Sequence, residues 1–268
     1  MSTVRALYDQ LKGAVSPAYY ARREFGFDPD PWQKNLLDSM NRQIIVNCRR
    51  QVGKSTTVGA KAAHQAVSKS SLVVITSPSE RQSVELMLKA KIFLQHAGID
   101  IKRETQKSME FMNGSRMFAL PGSEKTVRGF SAVDLLIIDE AARVVEDLYH
   151  SVEPMLAVSK GQTLLLSTPW GTPGFFYDIW QHGDEWWERY RVTAYDCPRI
   201  SNDWIERKRD TTPEWVFRQE YMGEFMESED AVFREEDIYA AIDGEAPGEK
   251  EEWWIDPELK NWEEANEY

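Results

Sequence analysis

Four short apolar runs constrain this chain more than any other feature: Ile44-Ile45-Val46, Leu72-Val73-Val74-Ile75-Thr76, Leu135-Leu136-Ile137-Ile138 and Leu164-Leu165-Leu166. Each is too short for a helix and bounded by polar residues, the pattern of strands buried on both faces. The stretch after the first run, residues 53–69, is rich in Ala, Lys and Gln without proline, which suits a helix. Strands alternating with helices predict an α/β fold with a mostly parallel sheet flanked by helices. Residues 190–194 supply a fifth strand. Residues 109–120 place Asn113-Gly114 between alternating apolar positions, which predicts a β-hairpin inserted at the sheet edge. After the second run, Ser77-Pro78-Ser79-Glu80 supplies in order an N-cap, a proline in the first turn and an acidic first turn, opening a helix to about residue 97.

With 268 residues, 42% apolar, the chain can bury one substantial core. No run of eighteen apolar residues exists and the start MSTVRALYDQLKG is no signal peptide, so a soluble, intracellular protein with no membrane partner is expected. Two cysteines, Cys48 and Cys197, cannot build a disulfide framework, and four scattered histidines offer no zinc spacing. The net charge of −12 is not evenly spread. Of the 44 acidic residues 15 lie in residues 229–268, against 3 of the 32 basic ones, which leaves 29 of each elsewhere. A neutral body still permits a local basic face, with Lys102, Arg103 and Lys107, or Arg207-Lys208-Arg209, as candidates; ordinary solvated surface explains each cluster equally well. Nine of the ten tryptophans lie from Trp170 onward. They suit a covering for the sheet and a small helical subdomain over residues 203–222 better than a platform for stacked bases.

Two motifs carry chemistry. Cys48-Arg49-Arg50-Gln51-Val52-Gly53-Lys54-Ser55 follows the first strand and opens a helix, the arrangement in which loop amides, a helix N-terminus, a lysine and a hydroxyl hold phosphates and Mg²⁺. The usual pattern begins with glycine. Cys48 replaces it, which is tolerable if that position has negative φ. The third strand ends in Asp139-Glu140, at the carboxyl edge where open α/β sheets bind ligands. There Asp139 suits Mg²⁺ and Glu140 suits activation of an attacking water. The next strand ends Ser167-Thr168-Pro169, whose hydroxyls could sit near the γ-phosphate or simply form a polar turn.

An intervening strand, and a glutamate beside the Mg²⁺ aspartate, resemble the RecA-like (ASCE) branch of P-loop NTPases. Together with Pro31-Trp32-Gln33, Thr126-Val127-Arg128-Gly129, LLIIDEAA, LLLSTPWG and Gln219-Glu220-Tyr221-Met222-Gly223-Glu224-Phe225, the motifs resemble the ATPase part of the large terminase subunit, over roughly residues 25–233. That resemblance implies a motor driving double-stranded DNA into the prohead of a bacteriophage, with ATP and Mg²⁺ as cofactors. Implied partners are portal protein, small terminase subunit and other copies of the chain in a ring; the implied location is host cytoplasm, transiently the prohead, and not the mature virion. Residue by residue, it makes Gln33 the adenine contact. Arg49, Gln51, Val52, Gly53, Lys54, Ser55 and Thr56 become the ATP-binding loop, Ser55 and Asp139 the metal ligands, and Glu140 the catalytic base. Ser167, Thr168 and Pro169 become the coupling segment. Arg128 is the candidate arginine finger in trans and Arg50 the candidate in cis.

The expected organisation is an ATPase core with an N-terminal helical segment in residues 1–200, a small helical lid or linker in 201–233, and an acidic tail in 234–268. Large terminases commonly add a nuclease with an acidic metal cluster. The tail has no apolar scaffold for one, so no nuclease activity is expected from this chain. A helicase-like translocase is the nearest rival, although about a hundred residues after Pro169 are few for a second RecA-like domain. A non-hydrolysing, ATP-gated scaffold that docks DNA or portal protein has no need of Glu140.

Overall fold

The computed structural model describes residues 2–121, 130–156, 158–171 and 174–226. The expected tail and Arg128 lie outside the described residues. Three helices, α1 (Ser2–Val15), α2 (Pro17–Glu24) and α3 (Pro31–Asp38), precede the first strand. Helix α2 starts where the Ser16 hydroxyl accepts from the Tyr19 N–H at 3.1 Å and Pro17 presets the first turn. Strand β1 (Gln43–Cys48) leads into α4 (Lys54–Ser68), and β2 (Leu72–Ser77) into α5 (Glu80–His96). A meander of β3 (Ile101–Thr105), β4 (Ser108–Phe111) and β5 (Arg116–Pro121) comes next. Beyond it lie β6 (Leu135–Asp139), α6 (Glu146–Val152), β7 (Gln162–Ser167), α7 (Phe175–His182) and β8 (Trp187–Val192). Helices α8 (Asn202–Thr211) and α9 (Glu214–Met222) close the described chain.

The eight strands form one sheet in the order β3-β4-β5-β2-β6-β7-β1-β8. All pairs from β5 to β8 are parallel; β3–β4 and β4–β5 are antiparallel. The expected hairpin is β4–β5, turning through Gly114 at φ 86°, and it lies one strand in from the edge, outside β2. Strand β3 is an addition. Its residues after Ile101 are exposed, so an edge strand carrying Lys102 and Arg103 looks like a solvated basic cluster in sequence. Lys107 pairs with Glu80 at 2.8 Å and Arg209 approaches Glu206 at 3.9 Å, so each basic cluster is partly neutralised.

The central strands are buried on both faces because helices cover both. One face packs Val46, Ile75, Ile137 and Leu166 against α2 to α5; the other packs Ile45, Val74, Ile138 and Leu165 against α6 and α7. Polar devices fix the first layer. The Lys61 ammonium, on α4, donates to the carbonyls of Leu36, Leu37 and Ser39 at 3.1, 3.0 and 3.0 Å, satisfying the C-terminal end of α3. Residues 203–222 form α8 and α9 around Ile205 and Phe217, the small helical unit anticipated. Of the paired tryptophans, Trp187 is buried against the sheet while Trp186 is exposed.

One local expectation fails. Ser79, not Ser77, caps α5, accepting from the Gln82 N–H at 3.4 Å. Strand β2 continues to Ser77, which is paired with Pro121 of β5, and that pairing holds Ser77 extended.

Candidate nucleotide-binding site

The loop between β1 and α4 turns tightly onto the N-terminus of α4, as the expected anion cradle requires. Its left-handed residues are Gln51 at φ 63° and Gly53 at φ 92°, whereas Cys48 has ordinary negative φ. The missing first glycine therefore costs no backbone strain. Cys48 is fully buried, its thiol donates to the Ser167 carbonyl at 3.7 Å, and burial pushes its pKa up to about 12, so it stays protonated and acts as packing. At the other end of the loop the Val52 carbonyl accepts from Gln33 Nε2 at 3.3 Å and Arg199 Nη2 at 3.2 Å. A β-carbon on Gly53 would lie 2.8 Å from that same Gln33 nitrogen. Gln33 is buried, and its Oε1 accepts from the Asp30 N–H at 2.8 Å, so one side chain joins the start of α3 to the loop.

Across the cradle stand the two carboxylates. Lys54 Nζ lies 3.2 Å from Asp139 Oδ1 and also pairs with Glu140. Burial would lower the Lys54 pKa, but Asp139 and Glu140 outweigh it and hold the ammonium above its ordinary range. Burial pushes the Asp139 carboxyl up, and Glu140 adds to that push against the pull of Lys54. Glu140 takes φ 53° and ψ 41°, a left-handed conformation that costs a non-glycine residue roughly 1–2 kcal/mol. Its N–H donates to Asp139 Oδ1 at 3.1 Å, and the Arg143 N–H closes a single turn on its carbonyl at 2.9 Å. The Arg143 guanidinium lies 4.0 Å from the centroid of Trp170, joining this loop to the one after β7.

Helix α9 grips the root of the phosphate loop. Asn47 Nδ2 donates to the Gly223 carbonyl at 2.8 Å, the Arg49 guanidinium lies 5.2 Å from the Tyr221 centroid, and Arg50 Nε is 3.4 Å from Glu220 Oε2. Arg191 reaches the Met222 carbonyl at 3.2 Å and Glu224 at 2.9 Å. Gly223 ends α9 in the left-handed conformation, at φ 66°.

The structure thus brings together Gln33, Val52, Gly53, Lys54, Ser55, Asp139 and Glu140. Ser55 and Thr56 stand half-buried in the first turn of α4; Ser167, Thr168 and Pro169 are buried beside β1, with Ser167 Oγ donating to the Thr168 carbonyl at 2.8 Å. Arg49 and Arg50 turn toward α9 rather than the carboxylates. Sequence reasoning passed over Asn47, Arg143, Arg199 and Trp170, whose roles depend on partners far along the chain. Among the described residues, no group of three or more His, Cys, Asp or Glu could hold a metal. A divalent ion here would share the Ser55 hydroxyl and the Asp139 carboxylate with phosphate oxygens, a donor set of hard oxygens that fits Mg²⁺.

Residues 49–239 match the family model described as terminase large subunit, T4likevirus-type, N-terminal. The large terminase subunit of Escherichia phage T5 is 26% identical over 219 residues, which is 78% of this chain and 49% of that protein. The chain therefore spans about half the length of that relative. Among solved structures, the large terminase ATPase domain of Thermus phage P74-26 superposes with a TM-score of 0.68 at 20% identity, covering 79% of this chain and 99% of that one. The large terminase of another thermophilic bacteriophage, in complex with ADP, gives a TM-score of 0.61 at 13% identity, covering 74% of this chain and 53% of that one. Both agree with the fold expected, an α/β fold of RecA-like type with a mostly parallel sheet flanked by helices.

Proposed function

The chain belongs to the large-subunit terminase family, and from that premise we propose that it is the Mg²⁺-dependent ATPase motor that drives double-stranded DNA into a prohead. One observation carries the reading: Lys54, at the N-terminus of α4, bridges to Asp139 and Glu140 at the end of β6, so phosphate cradle, metal carboxylate and base converge on one ammonium. Nucleotide phosphates compete with those carboxylates for Lys54. Drawing the lysine onto the β/γ oxygens frees Glu140 to take a proton from the water attacking the γ-phosphorus. Ser55 and Asp139 would hold Mg²⁺, which when bound neutralises phosphate charge. Gln33, fixed between α3 and the loop, is the proposed adenine contact.

Arg50 serves in cis, if released from Glu220, and Arg128 in trans from the next copy in a ring. Residues 1–200 act as the ATPase core, 201–233 as a lid and 234–268 as a linker or tail. Portal protein and small terminase subunit are the proposed partners, in the host cytoplasm and at the prohead. Among the described residues no helix is long and apolar enough to cross a membrane.

The test is Mg²⁺-ATP hydrolysis measured across protein concentration, for the parent chain and Glu140→Gln, with binding of a fluorescent ATP analogue in parallel. A rate per subunit that rises with concentration and is lost in Glu140→Gln, while binding persists, is the expected outcome. Absence of binding at millimolar nucleotide would overturn the reading.

A further inference from the structure

Because Ser79 caps α5, Ser77 has no capping task, and its hydroxyl is fully buried without a hydrogen-bond partner. Burying an unpaired hydroxyl costs roughly 1–3 kcal/mol, so the position needs an explanation. The sheet supplies one. β2 and β6 are parallel neighbours, with Ile75 beside Ile137 and Thr76 beside Ile138, so the next step sets Ser77 beside Asp139. Ile75 and Ile137 share the face covered by α4 and α5; two residues on, Ser77 and Asp139 point to that same face, where Lys54 enters. The hydroxyl of Thr76 is also unpartnered, but by the same alternation it faces the opposite side.

Neighbouring strands lie about 4.7–4.9 Å apart, so side chains at matching positions on one face are close neighbours. Serine and aspartate are short, and the Ser77 hydroxyl makes no hydrogen bond to Asp139. Mg²⁺ bound through one carboxylate and phosphates keeps several of its waters, and those waters need acceptors and donors in the protein. We propose that Ser77 is a further positioning residue of the nucleotide site, its hydroxyl holding a water of the Mg²⁺ shell beside Asp139. The inference rests on the ATPase reading above.

A structural hydroxyl and a site hydroxyl give opposite results in Ser77→Ala. Deleting an unpaired buried hydroxyl leaves thermal stability unchanged or raised. The same variant should need about tenfold more Mg²⁺ to reach half-maximal binding of a fluorescent ATP analogue, as expected when an outer-shell partner is removed. Its affinity for the analogue in EDTA should match the parent, and Ser77→Thr, which restores a hydroxyl in a strand-compatible side chain, should recover most of the Mg²⁺ response. A Ser77→Ala variant with the parent's Mg²⁺ dependence, or one weakened equally with and without Mg²⁺, overturns the proposal. If the parent chain itself shows no Mg²⁺-dependent nucleotide binding, the ATPase reading fails first and takes this inference with it.

Discussion

The loop after β1 and the loop after β6 meet at Lys54, yet they are held in opposite ways. The phosphate loop is tied from outside: Gln33 and Arg199 hold its Val52 carbonyl, and Asn47, Arg49 and Arg50 are engaged by α9 and Gly223. The carboxylate loop is held mostly by its own bonds, its one tie to a neighbouring loop among those described above being the Arg143 guanidinium on Trp170. Glu140 bonds Asp139 through its own N–H, Arg143 closes the turn, and Ala141 plugs the turn into the core. A loop tied to remote helices shifts when they shift; a self-contained turn stays set. On the ATPase reading proposed above, the difference would separate control, on the β1 side, from chemistry, on the β6 side.

The sharpest way to break that comparison is to wound each loop once. Gly53→Ala forces a methyl group against Gln33 Nε2 at a left-handed position, so binding of a fluorescent ATP analogue should be lost. Glu140→Gln should lower single-turnover hydrolysis by roughly 10²–10⁴ while leaving the Kd for the analogue within a few-fold of the parent. If Glu140→Gln instead lost binding as Gly53→Ala does, the two loops would be one unit and the division would fall.

A smaller effect tests whether the tie to α3 matters. Lys61→Met keeps the volume but strips the buried Leu36 and Leu37 carbonyls of a donor and leaves the Ser39 carbonyl with Gln162 alone, and should cost about 2–3 kcal/mol in urea unfolding. The figure is held down because burial already disfavours the charge, pulling the Lys61 pKa down to about 8 against the pull of Asp38 and Glu188. Smaller again is Asn47→Ala, which leaves the Gly223 carbonyl unpaired. About 1–2 kcal/mol of stability should go, with faster amide exchange in α9 and several-fold weaker nucleotide binding, and no change in exchange at residues 139–143. Exchange that rises equally in both places would show that the carboxylate loop also depends on α9.

Legibility in the sequence follows the same division. The four buried strands, the Asn113-Gly114 hairpin and the acids of β6 are local patterns, and all were readable. Ser77 reads as a cap in the sequence because Ser-Pro-Ser-Glu offers two caps, and only pairing with Pro121 decides between them. β3 was missed because an edge strand needs no second apolar face. The ties on the phosphate loop span 19, 147 and 176 residues, for Gln33–Val52, Val52–Arg199 and Asn47–Gly223. No periodicity encodes contacts of that separation. The remote ties of the β1 loop were therefore the illegible half of the site, and the local acids of β6 the legible one.

The mildest prediction uses acid. His64, on α4, lies within 2.9 Å of the Gly13 carbonyl through Nε2, tying α1 to the helix that begins with Lys54. Burial pulls its pKa below the ordinary 6.5, against the Gly13 carbonyl, with Lys61 adding to the downward shift and Asp38 opposing it. The unfolded chain then binds the proton more readily than the folded one between the depressed pKa and 6.5. Stability from this group is complete above pH 6.5 and is lost as pH falls through the folded value. His64→Gln, which keeps a donor but cannot titrate, should flatten that part of the stability profile between pH 7 and 5. Amide exchange should rise in α1 before it rises at residues 139–143, because the layer behind the phosphate loop carries the titrating tie. Loosening that appeared first in the carboxylate loop would place the acid-sensitive group at Asp139, and would reverse which side of the site is held from outside.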